Sequence, residues 1–180
     1  MTIQVDRAAL VRRAVVDLVA ESGIHGATMS QIARAAGVAT GTAYVHYHSK
    51  EDLLIATFVE VKTALGHAAV AGVDLAADTR AMFEEVWRNT YTHLRADPAL
   101  ARFLVQVEVS PLREAAHDAL SEEPLTEMAR GLARHLVDLP LDIVYDLSIA
   151  PAVRLAASGA RLGPNDTDAL IEACWRAVQR

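Results

Sequence analysis

Apolar residues return at helical spacing from the start of the chain. Val11, Ala14, Val15, Leu18 and Val19 fall at i, i+3, i+4, i+7 and i+8, while Arg12, Arg13, Asp17 and Glu21 take the other side. This pattern predicts an amphipathic helix from about Asp6 to Ser22, ended by Gly23. Thr28 followed by Gln31 is a capping box opening a short helix that Gly37 closes, and Ala39 to about His46 forms another short one. Ser49 followed by Asp52 is a second cap and starts a longer helix, Lys50 to about Ala69. Helices of about 79–96, 98–108, 111–120, 124–138, 140–158 and 165–178 follow. Most of them begin at a proline, whose fixed φ and missing N–H suit a first helical turn. Pro151 lies inside 140–158 and should bend it. The expected class is all-α, about nine to ten helices, without internal repeats.

Composition narrows the picture. A chain of 180 residues with 52% hydrophobic and 22% charged residues can bury a core and makes one domain or two. Nine glycines and six prolines are too few for a turn-rich β architecture. Cys174 is the single cysteine, which excludes an internal disulfide framework or a thiolate zinc site and fits a reducing cytoplasm. The uncharged stretch Thr63–Val73 spans eleven residues and includes Gly66, His67 and Gly72, so no membrane crossing is expected there. Charges interrupt the N-terminal segment where a signal peptide would need an apolar run.

The net charge of −6 is unevenly distributed. Residues 1–50 carry +2 and the remainder −8, as suits a small nucleic-acid module on a body that should not touch nucleic acid. A division is therefore expected between residues 1–50 and 51–180, falling within the helix that starts near 49. In the first part, Ile32 and Ala33, Gly37, Val38 and Ala43 have the spacing of a helix-turn-helix: Ala33 is small where two helices cross, and Gly37 supplies a left-handed turn residue. Thr28, Thr40, Thr42, Tyr44, His46 and Lys50 surround the second helix with groups that bind phosphate oxygens.

This stretch resembles the DNA-binding domain of the TetR family of transcriptional regulators. The resemblance rests on Ile32-Ala33, Ala36-Gly37-Val38, Gly41-Thr42-Ala43-Tyr44, His46-Tyr47 and Ser49-Lys50-Glu51-Asp52-Leu53-Leu54, and covers roughly residues 8–58. Ala43 stands where a larger aliphatic residue is usual, and Tyr47 replaces a Phe. The resemblance implies that the helix Ala39–His46 enters the major groove, with Thr28 and Lys50 on phosphates and Thr42, Tyr44 and His46 on phosphates or base edges. Ala39, Thr40 and Gly41 form the turn facing bases, where only Thr40 has a hydrogen-bonding side chain, so direct readout should be sparse. DNA shape and thymine-methyl contacts would supply specificity.

For the acidic body, the resemblance implies an inducer pocket between the middle helices, for which Phe83, Trp87, Tyr91, Phe103, Met128, Leu132 and Tyr145 are the candidates; core packing is the alternative for each. Leu141, Val144, Ser148, Ala152, Leu155 and Gly159 form one stripe, and Leu170, Ala173, Cys174 and Ala177 another, with Ile171, Trp175 and Val178 on a further face. A homodimer through residues 140–180 would bury them, or neighbouring helices of the same chain would. Glu114 and His117 have the i, i+3 spacing of half a di-iron site, but no second pair exists. His46 and His48, at i, i+2, would lie on different faces of a helix. No catalytic residue, metal or cofactor is therefore assigned. The expected protein is a cytoplasmic repressor released from a palindromic DNA operator by a small apolar inducer. A helical metal-dependent enzyme, or a ligand-binding protein without DNA binding, is the rival reading.

Overall fold

Residues 6–120 and 135–180 are described by the computed structural model. Among them the order is α1 (Arg7–Gly26), α2 (Met29–Ala35), α3 (Thr40–His46), α4 (Lys50–Val70), α5 (Thr79–Ala96), α6 (Pro98–Glu108), α7 (Arg113–Asp118), α8 (Leu141–Ser148), α9 (Ala150–Ser158) and α10 (Pro164–Val178). The only strand-like pairing among the described residues is an isolated bridge between Leu136 and Gln179. Of the helix expected over 124–138, the described residues hold a 3-10 turn at His135 and then extended chain: Val137 N–H donates to the Val178 carbonyl at 2.8 Å and Arg180 N–H to that of His135 at 3.1 Å.

The chain separates into two compact units. One takes residues up to Lys62 together with Arg102–Leu120, so the beginning of α4, most of α6 and all of α7 join the three leading helices. Its core is apolar: Val11, Val15, Val19, Ile32, Leu53, Leu54, Phe58 and Phe103 are completely enclosed. Asp6 starts α1 by accepting from the N–H groups of Ala8 and Ala9. The helical path breaks at Gly23, whose φ of 74° and ψ of 170° are accessible essentially to glycine alone.

The second unit comprises Thr63–Ala101 and the described residues from 135 onward. α9 packs along α5, and its Ala152, Val153 and Ala156 are buried. α10 is tied to α5 by ion pairs of Arg88 with Asp168 (2.5 Å) and Arg80 with Glu172 (2.6 Å). The expected single helix over 140–158 is two helices. Its chain turns at Ile149 and Pro151 occupies the first turn of α9, so the proline starts a helix instead of bending one.

Burial also revises the expected intersubunit stripes. Val144, Ser148, Ala152, Ile171, Cys174, Trp175 and Val178 are enclosed within the chain. Trp175 packs on Phe83 with ring centroids 5.4 Å apart, in a cluster with Leu136, Val144 and Val178. Ile143 and Leu147 remain exposed on another face of α8, and Leu141, beside the buried stripe, and Leu139 before it are exposed as well.

Candidate nucleic-acid interface

The turn between α2 and α3 follows from Gly37. Its φ of 68° lets Val38 N–H reach the Ala33 carbonyl at 2.9 Å while Gly37 N–H reaches that of Arg34 at 3.1 Å, the paired bonds of a Schellman motif. Ile32, Ala33 and Ala43 are completely buried, and their small size at Ala33 and Ala43 brings the helices together. One turn beyond Ala43, Tyr47 is also buried, and its hydroxyl accepts from Arg12 Nη1 at 2.7 Å. Arg12 pairs in addition with Glu60 at 2.5 Å, so one guanidinium links α1, the end of α3 and α4. Burial opposes the charge of Arg12, yet Tyr47, Glu60 and Asp6 together hold its pKa above the ordinary value.

With that seam fixed, the opposite side of α3 faces water. Tyr44 is 50% exposed and Val45 79%, His46, Ala39 and Gly41 are exposed, and Thr40 and Thr42 are half-buried. Ala39 offers no side-chain acceptor at the start of α3, and no acidic residue lies in the first turn, so nothing repels an approaching phosphate there. Two of the expected phosphate ligands have work inside the fold. The Thr28 hydroxyl donates to Gln31 Oε1 at 2.7 Å and accepts from Gln31 N–H at 3.3 Å, completing the capping box of α2. The Lys50 ammonium donates to the Ile24 carbonyl at 3.1 Å, just past the break at Gly23, which leaves its other N–H bonds for a second acceptor. Ser49 Oγ accepts from Asp52 N–H, and Asp52 Oδ2 from His48 N–H, so the start of α4 is held where Lys50 can make that bond.

Two exposed residues escaped the sequence reading. Arg34 is exposed on α2, and its signal was its place directly after the buried Ile32-Ala33 pair. Val45 was passed over because an aliphatic residue inside a helix reads as core.

The candidate ligand residues are not all brought together. Phe83, Trp87, Tyr91 and Tyr145 belong to the second unit, Phe103 to the first, and Met128 and Leu132 lie outside the described residues. Trp87 is completely buried beside Tyr91, centroids 5.7 Å apart. Its indole N–H is aimed at the Cys174 thiol, and the Thr90 hydroxyl one turn later is buried without a hydrogen-bond partner among the described residues. Burial pushes the Cys174 thiol up, partly offset by the neighbouring Trp87 indole. In the first unit, His117 Nε2 lies 3.0 Å from Glu108 Oε1 rather than forming a site with Glu114, and its ring packs on Phe58.

Comparison with known proteins places this geometry. The family model for bacterial regulatory proteins of the tetR family matches residues 11–57, the segment holding α2, α3 and their connection. An uncharacterized HTH-type transcriptional regulator of Haemophilus influenzae is 26% identical over 178 residues, covering 91% of this chain and 90% of that protein. The fatty acid metabolism regulator protein of Bacillus subtilis is 49% identical over 47 residues, 26% of this chain and 24% of its own. A tetR-family regulator structure from Shewanella superposes with a TM-score of 0.80 at 26% identity, covering 98% of this chain and all of that one. Together with the helix-turn-helix just described, these likenesses show that residues 11–57 carry a DNA-binding segment of the tetR-family type and that the chain is similar over nearly its whole length to HTH-type transcriptional regulators.

Proposed function

We propose that this chain is a homodimeric repressor in the cytoplasm, in which residues 1–50 bind a palindromic operator and residues 51–180 bind a small, mainly apolar ligand and dimerise. The observation carrying the proposal is the outward face of α3, where Thr42, Tyr44 and His46 stand exposed or half-exposed on a helix whose inner face is sealed by Ala43 and Tyr47. Lys50, Tyr44, Thr42 and His46 serve the phosphates and Ala39, Thr40 and Gly41 lie toward the bases.

The dimer surface is built from the exposed apolar residues of α8, Ile143 and Leu147 on one face, with Leu139 and Leu141 at its start and Ala173 and Ala177 of α10 contributing. The ligand reading rests on Thr90, one turn after the buried Trp87. Leaving a buried hydroxyl unmatched costs about 1–3 kcal/mol, and a ligand with one polar group on an apolar frame would satisfy it. Binding would shift the dimer between DNA-competent and incompetent arrangements.

The test has two arms. Duplexes are selected from a randomised pool with the full chain, and salt-dependent binding to an enriched palindrome supports the DNA reading; no enrichment at any salt refutes it. Fatty acids, suggested by the name of the Bacillus relative, are then titrated against that complex. Release should be accompanied by a change in tryptophan emission that disappears in Trp87→Phe and persists in Trp175→Phe, both first shown to be folded. The same emission change in Trp87→Phe as in the parent would move the ligand away from α5.

A further inference from the structure

Two features of α3 serve nothing in the isolated chain. Counting about 100° per residue around the helix from the buried Ala43, Gly41 lies at about 160° and Val45 at about 200°. These two residues, one turn apart, therefore form the outermost ridge, with Thr42 and Tyr44 on its flanks. Val45, at 79%, is the most exposed large apolar side chain among the described residues. It is β-branched, which weakens a helix, and it packs on nothing that would offset that. Gly41 weakens an exposed helix relative to alanine. Its φ is not positive, and a Cβ added there would meet nothing within 4 Å. Neither backbone conformation nor packing asks for glycine.

Both choices make sense against a surface that approaches the ridge closely and offers an apolar spot. Among the base edges in the major groove, only the thymine C5-methyl is apolar, while guanine, adenine and cytosine present hydrogen-bonding groups that a valine would desolvate without replacement. The hydroxyls of Thr42 and Tyr44 would meet the walls of the groove, where the phosphates are.

We propose that the Gly41–Val45 ridge is the sequence-reading edge of this regulator, with the bare backbone at Gly41 lying against the groove floor and Val45 packing on a thymine methyl in each half-site. The inference rests on α3 being the helix that enters DNA, and adds that its specificity is apolar and centred on Val45.

The probe is the duplex enriched from the randomised pool by the full chain, with each thymine replaced singly by deoxyuracil, which removes only the methyl. At one thymine position per half-site, uracil should weaken the parent about fourfold, the equivalent of one buried methylene. Val45→Ala should show no penalty at that position. Gly41→Ala should bind every duplex more weakly while its Tm holds or rises, because its new methyl meets only the partner. The proposal is overturned if no thymine shows a uracil penalty, if Val45→Ala keeps the full penalty, or if Gly41→Ala binds as the parent does. Failure of the parent to enrich any duplex is a different result: it removes the DNA-entering role of α3, and this inference with it.

Discussion

Lys50 is expected to carry two separable loads, and replacing it should move two different measurements. Its ammonium donates to the Ile24 carbonyl at 3.1 Å, tying the start of α4 to the turn that follows the break at Gly23. A charge-assisted hydrogen bond of this kind contributes about 1.5–3 kcal/mol when shielded. The site is only part-buried, so about 1 kcal/mol is the reasonable figure after solvent screening. For a chain of this size that corresponds to a fall in Tm of about 2–4 °C. The remaining N–H bonds are free to neutralise a phosphate, and one contact per head in a dimer would lower the salt slope of binding by about 1.8. Lys50→Met keeps the aliphatic stem and removes the charge, so it should show both losses, and Lys50→Arg should recover most of the slope. Thermal unfolding and fluorescence anisotropy against salt on the selected duplex measure the two effects independently. A reduced Tm with an unchanged slope would falsify the phosphate contact, and an unchanged Tm would show that the bond to Ile24 contributes nothing.

Three further outcomes follow from the same structure. Tyr47→Phe removes the hydroxyl that accepts from Arg12 while leaving Arg12 paired with Glu60; it should cost about 1 kcal/mol in urea unfolding, and equal stability would mean the bond is absent in solution. Leu147→Glu puts a charge into the exposed apolar face of α8 and should give a monomer by light scattering; an unchanged dimer mass would place the interface elsewhere. The third concerns Glu108: burial works to raise its pKa, but His117, Lys62 and Arg113 outweigh it and hold the carboxyl below its ordinary value. A carboxylate lowered in this way adds stability above the unfolded pKa of about 4.3, and that share is lost as pH falls through the folded value. Glu108→Gln should therefore flatten the acid side of the stability profile, and a profile as steep as the parent's would contradict it.

Much of the helix-turn-helix could be read from residues alone because its determinants are local. Thr28 with Gln31, Ser49 with Asp52 and Gly37 each act within a few positions, and a capping box or a left-handed turn needs only the right atoms at the right offset. Helix periodicity likewise placed α1 through α6 close to their limits. The same local reasoning misjudged Pro151, because a proline serves a helix interior and a first turn with the same φ, and the chain places it in the first turn after the cap residue Ile149. It also could not separate the faces of 140–178, since an apolar stripe looks alike whether its partner is another helix of the chain or a second subunit. Tertiary packing made that choice, enclosing Val144, Cys174 and Trp175 and leaving Leu141, Ile143 and Leu147 outside. The second role of Lys50 and the exposure of Val45 depend in the same way on long-range geometry. A side chain's hydrogen-bond partner 26 residues away, or the side of a helix left uncovered, is set by how helices meet and not by the residues beside it in the chain.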